Sequence, residues 1–237
     1  MYGLVTKNDS GETQIDSTYR NLSLDESGSN VAITCDSYGN PTSVSLTGSS
    51  LVPLIAIRPP TDRYAAVKCY HKTSSNFDAF LVHPELDAWP YSAMYIDWKS
   101  YRENRVASGE DYGLLVYNSD GDLCFDSGKS YLKIREVHSV TLDDPTLDGY
   151  DPVLDSEVIT HSSYSNPYYI LSRNSYWELG FGPTGSTPPY FAMLFSIGVK
   201  KVSSTSVNVG WFQVYGAGYN ARIGGGFNPT IKLLVCE

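Results

Sequence analysis

Apolar residues along this chain fall in short runs separated by clusters of Gly, Pro, Asn, Asp and Ser. The runs are 31–35, 42–46, 51–57, 65–70, 77–82, 114–117, 131–137, 168–171, 190–199, 206–215 and 230–235. They are rich in Val, Ile, Leu, Tyr and Thr. Runs of this length, bounded by turn formers, are the pattern of β-strands. No long stretch carries the 3.6-residue apolar period of an amphipathic helix. The nearest approach to one, 95–104, is short and aromatic and is read as a strand or an irregular segment. The pattern predicts an all-β chain of antiparallel β-sandwich units, with two tandem units or one sandwich carrying two hairpins as the alternatives.

An internal repeat adds to this. Tyr2-Gly3-Leu4 begins a segment that runs through Asn8 and Gly11 to Asp16-Ser17. It matches, without gaps, a segment from Tyr112-Gly113-Leu114 through Asn118 and Gly121 to Asp126-Ser127. Both copies read as β-hairpins. The turn Asn hydrogen-bonds its own backbone, and the Gly supplies the positive φ that closes the loop. The Asp-Ser pair at the end of each second arm is placed to satisfy free backbone amides with its side chains. The copies divide the chain into a region 1–105 and a region 106–237, each opening with a hairpin, with polar residues 103–111 as connector. Residues 142–157, with five Asp and one Glu, read as a long exposed loop, and glycine-rich 216–226 as another.

Composition then narrows the function. The 237 residues suffice for one large sandwich or two smaller units. Charged residues make up only 18%, while Tyr occurs 19 times. Tyr supplies contact area and a hydroxyl at little entropic cost. The net charge of −9 repels phosphate backbones and anionic membranes, so no nucleic-acid partner and no membrane insertion are expected. The first residues show neither a basic region nor an apolar core of an export signal. Cys35, Cys69, Cys124 and Cys236 form no CxxC pair and read as thiols of a reducing compartment.

Candidate chemistry is sparse. His71, His83, His138 and His161 are scattered, and neither Gly-x-Ser-x-Gly nor HExxH occurs. Asp87, Asp97, Glu103 and Glu178 lie near aromatic residues, as the two acids of a glycosidase would, but structural roles for the surrounding Trp and Tyr are favoured. The turn 118–122 has Ser127 where a calcium loop needs its Glu. Gly216-Ala217-Gly218 lacks the third glycine of a dinucleotide loop. The chain is expected to be non-enzymatic, with no catalytic residue, no metal and no cofactor.

The Tyr-Gly-Leu … Asn-x-x-Gly … Asp-Ser hairpin in two copies, with Leu54-Ile55-Ala56-Ile57-Arg58-Pro59, resembles the tail-tip and tail-fibre-associated proteins of tailed bacteriophages. The last hundred residues share only the Gly- and Tyr-rich style. The resemblance implies a virion component of the distal tail (tip, baseplate or fibre-associated), assembled in the host cytoplasm. Its partners would be other tail proteins and further copies of itself, a trimer being favoured. The alternative is a receptor-binding or lectin-like module contacting a host surface glycan or protein. Tyr164, Tyr168, Tyr169, Trp177 and Tyr219 are its candidate binding residues, because aromatic faces stack on sugar rings.

Overall fold

A computed structural model describes residues 5–7, 13–16, 21–35, 43–73, 76–85, 92–103, 106–148, 151–172, 176–181, 191–216 and 229–237. Every element in it is a strand. Residues 1–105 supply β1 (Val5–Lys7), β2 (Thr13–Asp16), β3 (Leu22–Ile33), β4 (Ser43–Ser49), β5 (Leu54–Arg58), β6 (Ala65–Thr73), β7 (Asn76–Pro84) and β8 (Met94–Glu103). Residues 106–237 supply β9 (Leu115–Tyr117), β10 (Leu123–Asp126), β11 (Ile134–Thr141), β12 (Thr146–Asp148), β13 (Asp151–Val153), β14 (Ser156–Thr160) and β15 (Tyr168–Leu171). They continue with β16 (Tyr176–Phe181), β17 (Phe191–Lys201), β18 (Ser206–Gly216) and β19 (Thr230–Cys236).

Two antiparallel sheets form a sandwich. One has the order β11-β19-β15-β5-β8-β3; the other has the order β14-β18-β17-β6-β7-β4, with β16 also paired to β17. Period-two alternation sets the faces. On β8, Met94, Ile96 and Trp98 point into the core, while Tyr95, Asp97 and Lys99 point away from it and are more exposed. On β19, Ile231, Leu233 and Val235 do the same. The central core takes side chains from both sheets and from both regions of the chain, among them Phe80, Phe195, Ile197 and Val209. Phe80 meets Trp98 edge to face across it, with ring centroids 5.1 Å apart.

The two regions share one topology. From edge to middle the first sheet reads β3-β8-β5 from one side and β11-β19-β15 from the other; the second reads β4-β7-β6 and β14-β18-β17. Each region is also preceded by its hairpin, β1–β2 or β9–β10. Equivalent strands meet antiparallel at the middle of each sheet, as a two-fold relation requires. Both junctions are narrow: Tyr169 stands opposite Ile57 in one sheet, and Val199 opposite Ala65 in the other. Gly198 lies at the second junction, where a β-carbon would come within 2.7 Å of the Ala65 carbonyl oxygen. A side chain there would push the two regions apart. Strands of residues 1–105 and of residues 106–237 thus lie side by side in both sheets, over a shared central core.

The second hairpin is built as its sequence predicts. Asn118 Oδ1 accepts the amides of Asp120 (3.0 Å) and Asp122 (2.8 Å), and Gly121 has φ +83°. Ser127 Oγ accepts the Leu114 amide at 2.8 Å, and Asp126 accepts the amides of Ser108 and Gly128. The acidic segment departs from the expected open loop. Leu142 is fully buried, Trp211 Nε1 donates to the Asp143 carbonyl (2.9 Å), and β12 pairs with β13. A buried Leu and a pinned backbone hold this stretch against β18, and Asp155 Oδ2 accepts the Asp143 amide at 2.7 Å. The hairpin of residues 146–153 escaped the strand pattern because its arms are three residues long. Most of 216–226 lies outside the described residues.

Candidate functional site

The outer face of the six-stranded sheet is unusual in being partly apolar and partly cationic. Alternation directs Lys99 and Tyr101 of β8, Ala56 and Arg58 of β5, Tyr168 and Ile170 of β15, and Cys236 of β19 onto it. Residues 130–132 cross this face. The Leu24 amide donates to the Ser130 carbonyl (2.7 Å) and the Leu132 amide to the Leu22 carbonyl (3.0 Å). At the far side the Glu237 amide donates to the Lys133 carbonyl (3.1 Å). Beneath the crossing, Ala56, Tyr101, Tyr168, Ile170 and Cys236 form a second small core with Leu24, Leu132 and Leu234.

Beside that core opens a cavity of about 660 Å³, within the range of small-ligand sites. Its wall includes Lys99, Tyr101, Phe125, Lys129, Tyr131 and Lys133. The Phe125 and Tyr131 rings stack with centroids 4.9 Å apart and planes 16° from parallel. Lys129 Nζ donates to the Val106 carbonyl. Lys99 places its ammonium 4.4 Å from the centre of the Tyr168 ring, an arrangement in which the ring face attracts the cation. Burial, reinforced by the neighbouring Arg58, lowers the Lys99 pKa. One acid, Glu237, also lines the cavity. Its carboxylate accepts from Arg135 Nε (3.0 Å) and Nη2 (2.7 Å), which offsets its charge.

Tyr168 anchors the cationic end. Arg58 Nη2 donates to its hydroxyl (2.8 Å) and Arg58 Nη1 to Asn166 Oδ1 (3.0 Å), while Asp97 lies 3.3 Å from the guanidinium. Tyr101 is 2% exposed, and burial pushes its phenol up to about 12, so it remains a neutral donor. Burial likewise pushes the Cys236 thiol up to about 12. At neutral pH it is a thiol, and a thiol is a poor nucleophile. The cavity therefore offers ring faces, hydroxyls and ammonium groups, which suit recognition.

A second polar cluster sits on β11. Glu136 Oε1 accepts the Ser162 amide and the Tyr164 hydroxyl, both at 2.8 Å, and Oε2 lies 2.9 Å from His138 Nε2. The bond to the Ser162 amide, followed by the Ser162 side chain, pulls the Glu136 carboxyl down to about 2. Serine, carboxylate and histidine are present, but the carboxylate stands in the middle. A nucleophilic triad needs the histidine there, between nucleophile and acid. The cluster clasps 162–164 onto β11. His161, buried beside it, has Nδ1 2.8 Å from the Ser162 carbonyl. A carbonyl only accepts, so Nδ1 carries the proton. In the neutral ring Nε2 then accepts from the Tyr169 hydroxyl at 2.8 Å.

The five aromatic residues singled out in the sequence do not form one exposed patch. Tyr169 is 1% exposed and belongs to the central core. Its neighbour Tyr168 points the opposite way, as alternation demands, onto the outer face, where it too is buried. Tyr164 is half-buried on Glu136. Trp177 lies in β16 opposite Phe195, with only its backbone placed, and Tyr219 lies outside the described residues. Among the acids considered as a glycosidase pair, Asp97 and Glu103 stand six residues apart on β8. Along a strand that is roughly 20 Å, well beyond the separation of about 5–10 Å such enzymes use. Asp87 lies outside the described residues, and Glu178 has only its backbone placed.

Sequence reasoning missed Lys99, Tyr101, Phe125, Tyr131 and Lys133. Their signal was weak: alternating Lys and Tyr on β8, and a Lys-Ser-Tyr-Leu-Lys run after the second hairpin. No protein-family model matches the chain, and no curated protein or solved structure matches it.

Proposed function

We propose that this chain is a non-enzymatic component of the distal tail of a bacteriophage, at the tip, the baseplate or a fibre, and that it contacts carbohydrate on the host surface. The doubled Tyr-Gly-Leu hairpin, with its resemblance to tail proteins, supports the setting. The observation that carries the contact is the cavity on the outer face of the six-stranded sheet, where the stacked, half-buried Phe125–Tyr131 pair lies beside ammonium groups. Aromatic faces pack against the C–H faces of sugars, and the hydroxyls and amines beside them fix orientation. In this reading the sandwich is the rigid support, other tail proteins are its neighbours, and a trimer is the favoured assembly.

The test is titration calorimetry of the purified chain against cell-surface polysaccharide fragments, with Tyr131→Ala as the variant. The expected result is binding that weakens at least about 10-fold in the variant, of the order of one stacked ring. Unchanged binding, with the circular dichroism spectrum preserved, would move the contact off this face. Light scattering after gel filtration checks the assembly: a defined trimer supports it, and a monomer removes self-association from the reading.

A further inference from the structure

The chain as a whole is strongly acidic, at −9, with 17 basic residues spread over its length. The cavity has the opposite sign. Lys99, Lys129 and Lys133 all line it, and the one carboxylate on its wall, Glu237, is held by Arg135. Among the described residues no carboxylate lies within ion-pair distance of Lys99, whose contact is the Tyr168 ring. Arg58, whose guanidinium lies 3.3 Å from Asp97, also stands against that ring, 4.7 Å from its centre. Two cations against one aromatic ring repel each other, and a bound anion beside Lys99 would relieve that repulsion.

The two halves of the wall have different chemistry. One half is flat and apolar, from Phe125 and Tyr131; the other is cationic, from the lysines. A neutral sugar would use only the first. A free inorganic anion would use only the second. Lysine ammonium groups act as point charges and lack the fork by which Arg grips a particular oxyanion, so carboxylate and sulfate are both served.

We propose that the cavity binds an acidic saccharide, with a sugar ring against Tyr131 and Phe125 and its negative group between Lys99 and Lys133. This rests on the reading of the outer face as a carbohydrate contact and names the class of sugar.

The experiment compares three oligosaccharides of similar length by calorimetry: oligogalacturonate (carboxylate), a dextran sulfate fragment (sulfate) and dextran (neutral). Lys133→Gln, which alters an exposed residue, and Lys99→Gln are tested beside the wild type, with melting curves to confirm folding. The expected result is that one or both acidic ligands bind at least about 10-fold more tightly than dextran. Each substitution should cut that affinity about 5-fold and reduce its salt dependence. Whichever acidic ligand binds identifies the negative group. Dextran binding as tightly as the acidic ligands, or lysine variants that bind like wild type, overturns this inference and leaves the carbohydrate contact standing. Failure of all three to bind overturns both.

Discussion

The amide of Leu132 donates to the carbonyl of Leu22 at 3.0 Å, which ties the start of β3 to the segment that precedes β11. They lie 110 residues apart, which is also the spacing of Tyr2 and Tyr112 in the repeated hairpins. The residues between them pair as well, Ser23 standing antiparallel to Tyr131. Within the two sheets, strands of the two regions meet at Ile57 opposite Tyr169 and at Ala65 opposite Val199. Strands of the two regions therefore meet in the middle of both sheets.

This arrangement predicts cooperative unfolding. The central core draws Trp98 from the first unit and Trp211 from the second, and neither unit has a complete core of its own. Urea unfolding followed by tryptophan emission and by far-ultraviolet circular dichroism should give coincident single transitions. Two separated transitions would mean that the narrow junctions carry little of the stability and that each unit folds alone.

Tyr169→Phe probes the buried bond to His161. The phenol donates to Nε2 at 2.8 Å, and burial pushes that phenol up to about 12. Phenylalanine fills the same space but leaves Nε2 without its donor in a residue 5% exposed. An unsatisfied buried acceptor costs about 1–3 kcal/mol. Chemical denaturation should show a loss of that size, and a loss below about 0.5 kcal/mol would mean that the ring nitrogen finds another donor.

Glu136 makes part of the stability depend on pH. Its carboxyl is pulled from 4.5 down to about 2, first by the Ser162 amide and then by the Ser162 side chain. A depressed carboxyl pKa favours the folded state above the unfolded value, and that contribution disappears as pH falls through the folded value. Melting temperatures of the wild type and of Glu136→Gln, compared from pH 6 to pH 2, should differ most above about pH 4.5. The gap should close towards pH 2. A gap independent of pH would assign the effect of the substitution to packing.

Strands and turns were legible in the sequence, because each is a local property. Val, Ile and Tyr between turn formers read as strands, and Asn118 and Gly121 form the turn their side chains and backbone favour. The hairpin repeat pointed to related units because a copied segment keeps its own residues. Less legible was β3, whose first residues, Leu22-Ser23-Leu24-Asp25-Glu26-Ser27-Gly28, are mostly polar. It is a strand because β8 pairs with it along its length, and pairing is a tertiary fact.

The site shows the same boundary. Alternation along β15 alone would have told that Tyr168 and Tyr169 face opposite ways, so they were never candidates for one patch. Which of them met the core depended on the second sheet. The cavity was beyond reach in principle. Lys99 comes from β8, Phe125 from the hairpin, and Tyr131 and Lys133 from the segment that crosses the face. The sequence by itself determined the strands, the turns and the duplication, since these depend on neighbours a few residues away. Only the tertiary structure decided how the strands of the two regions join and which lysines and rings converge, because those contacts link positions from roughly thirty to more than a hundred residues apart, whose spacing carries no local signal.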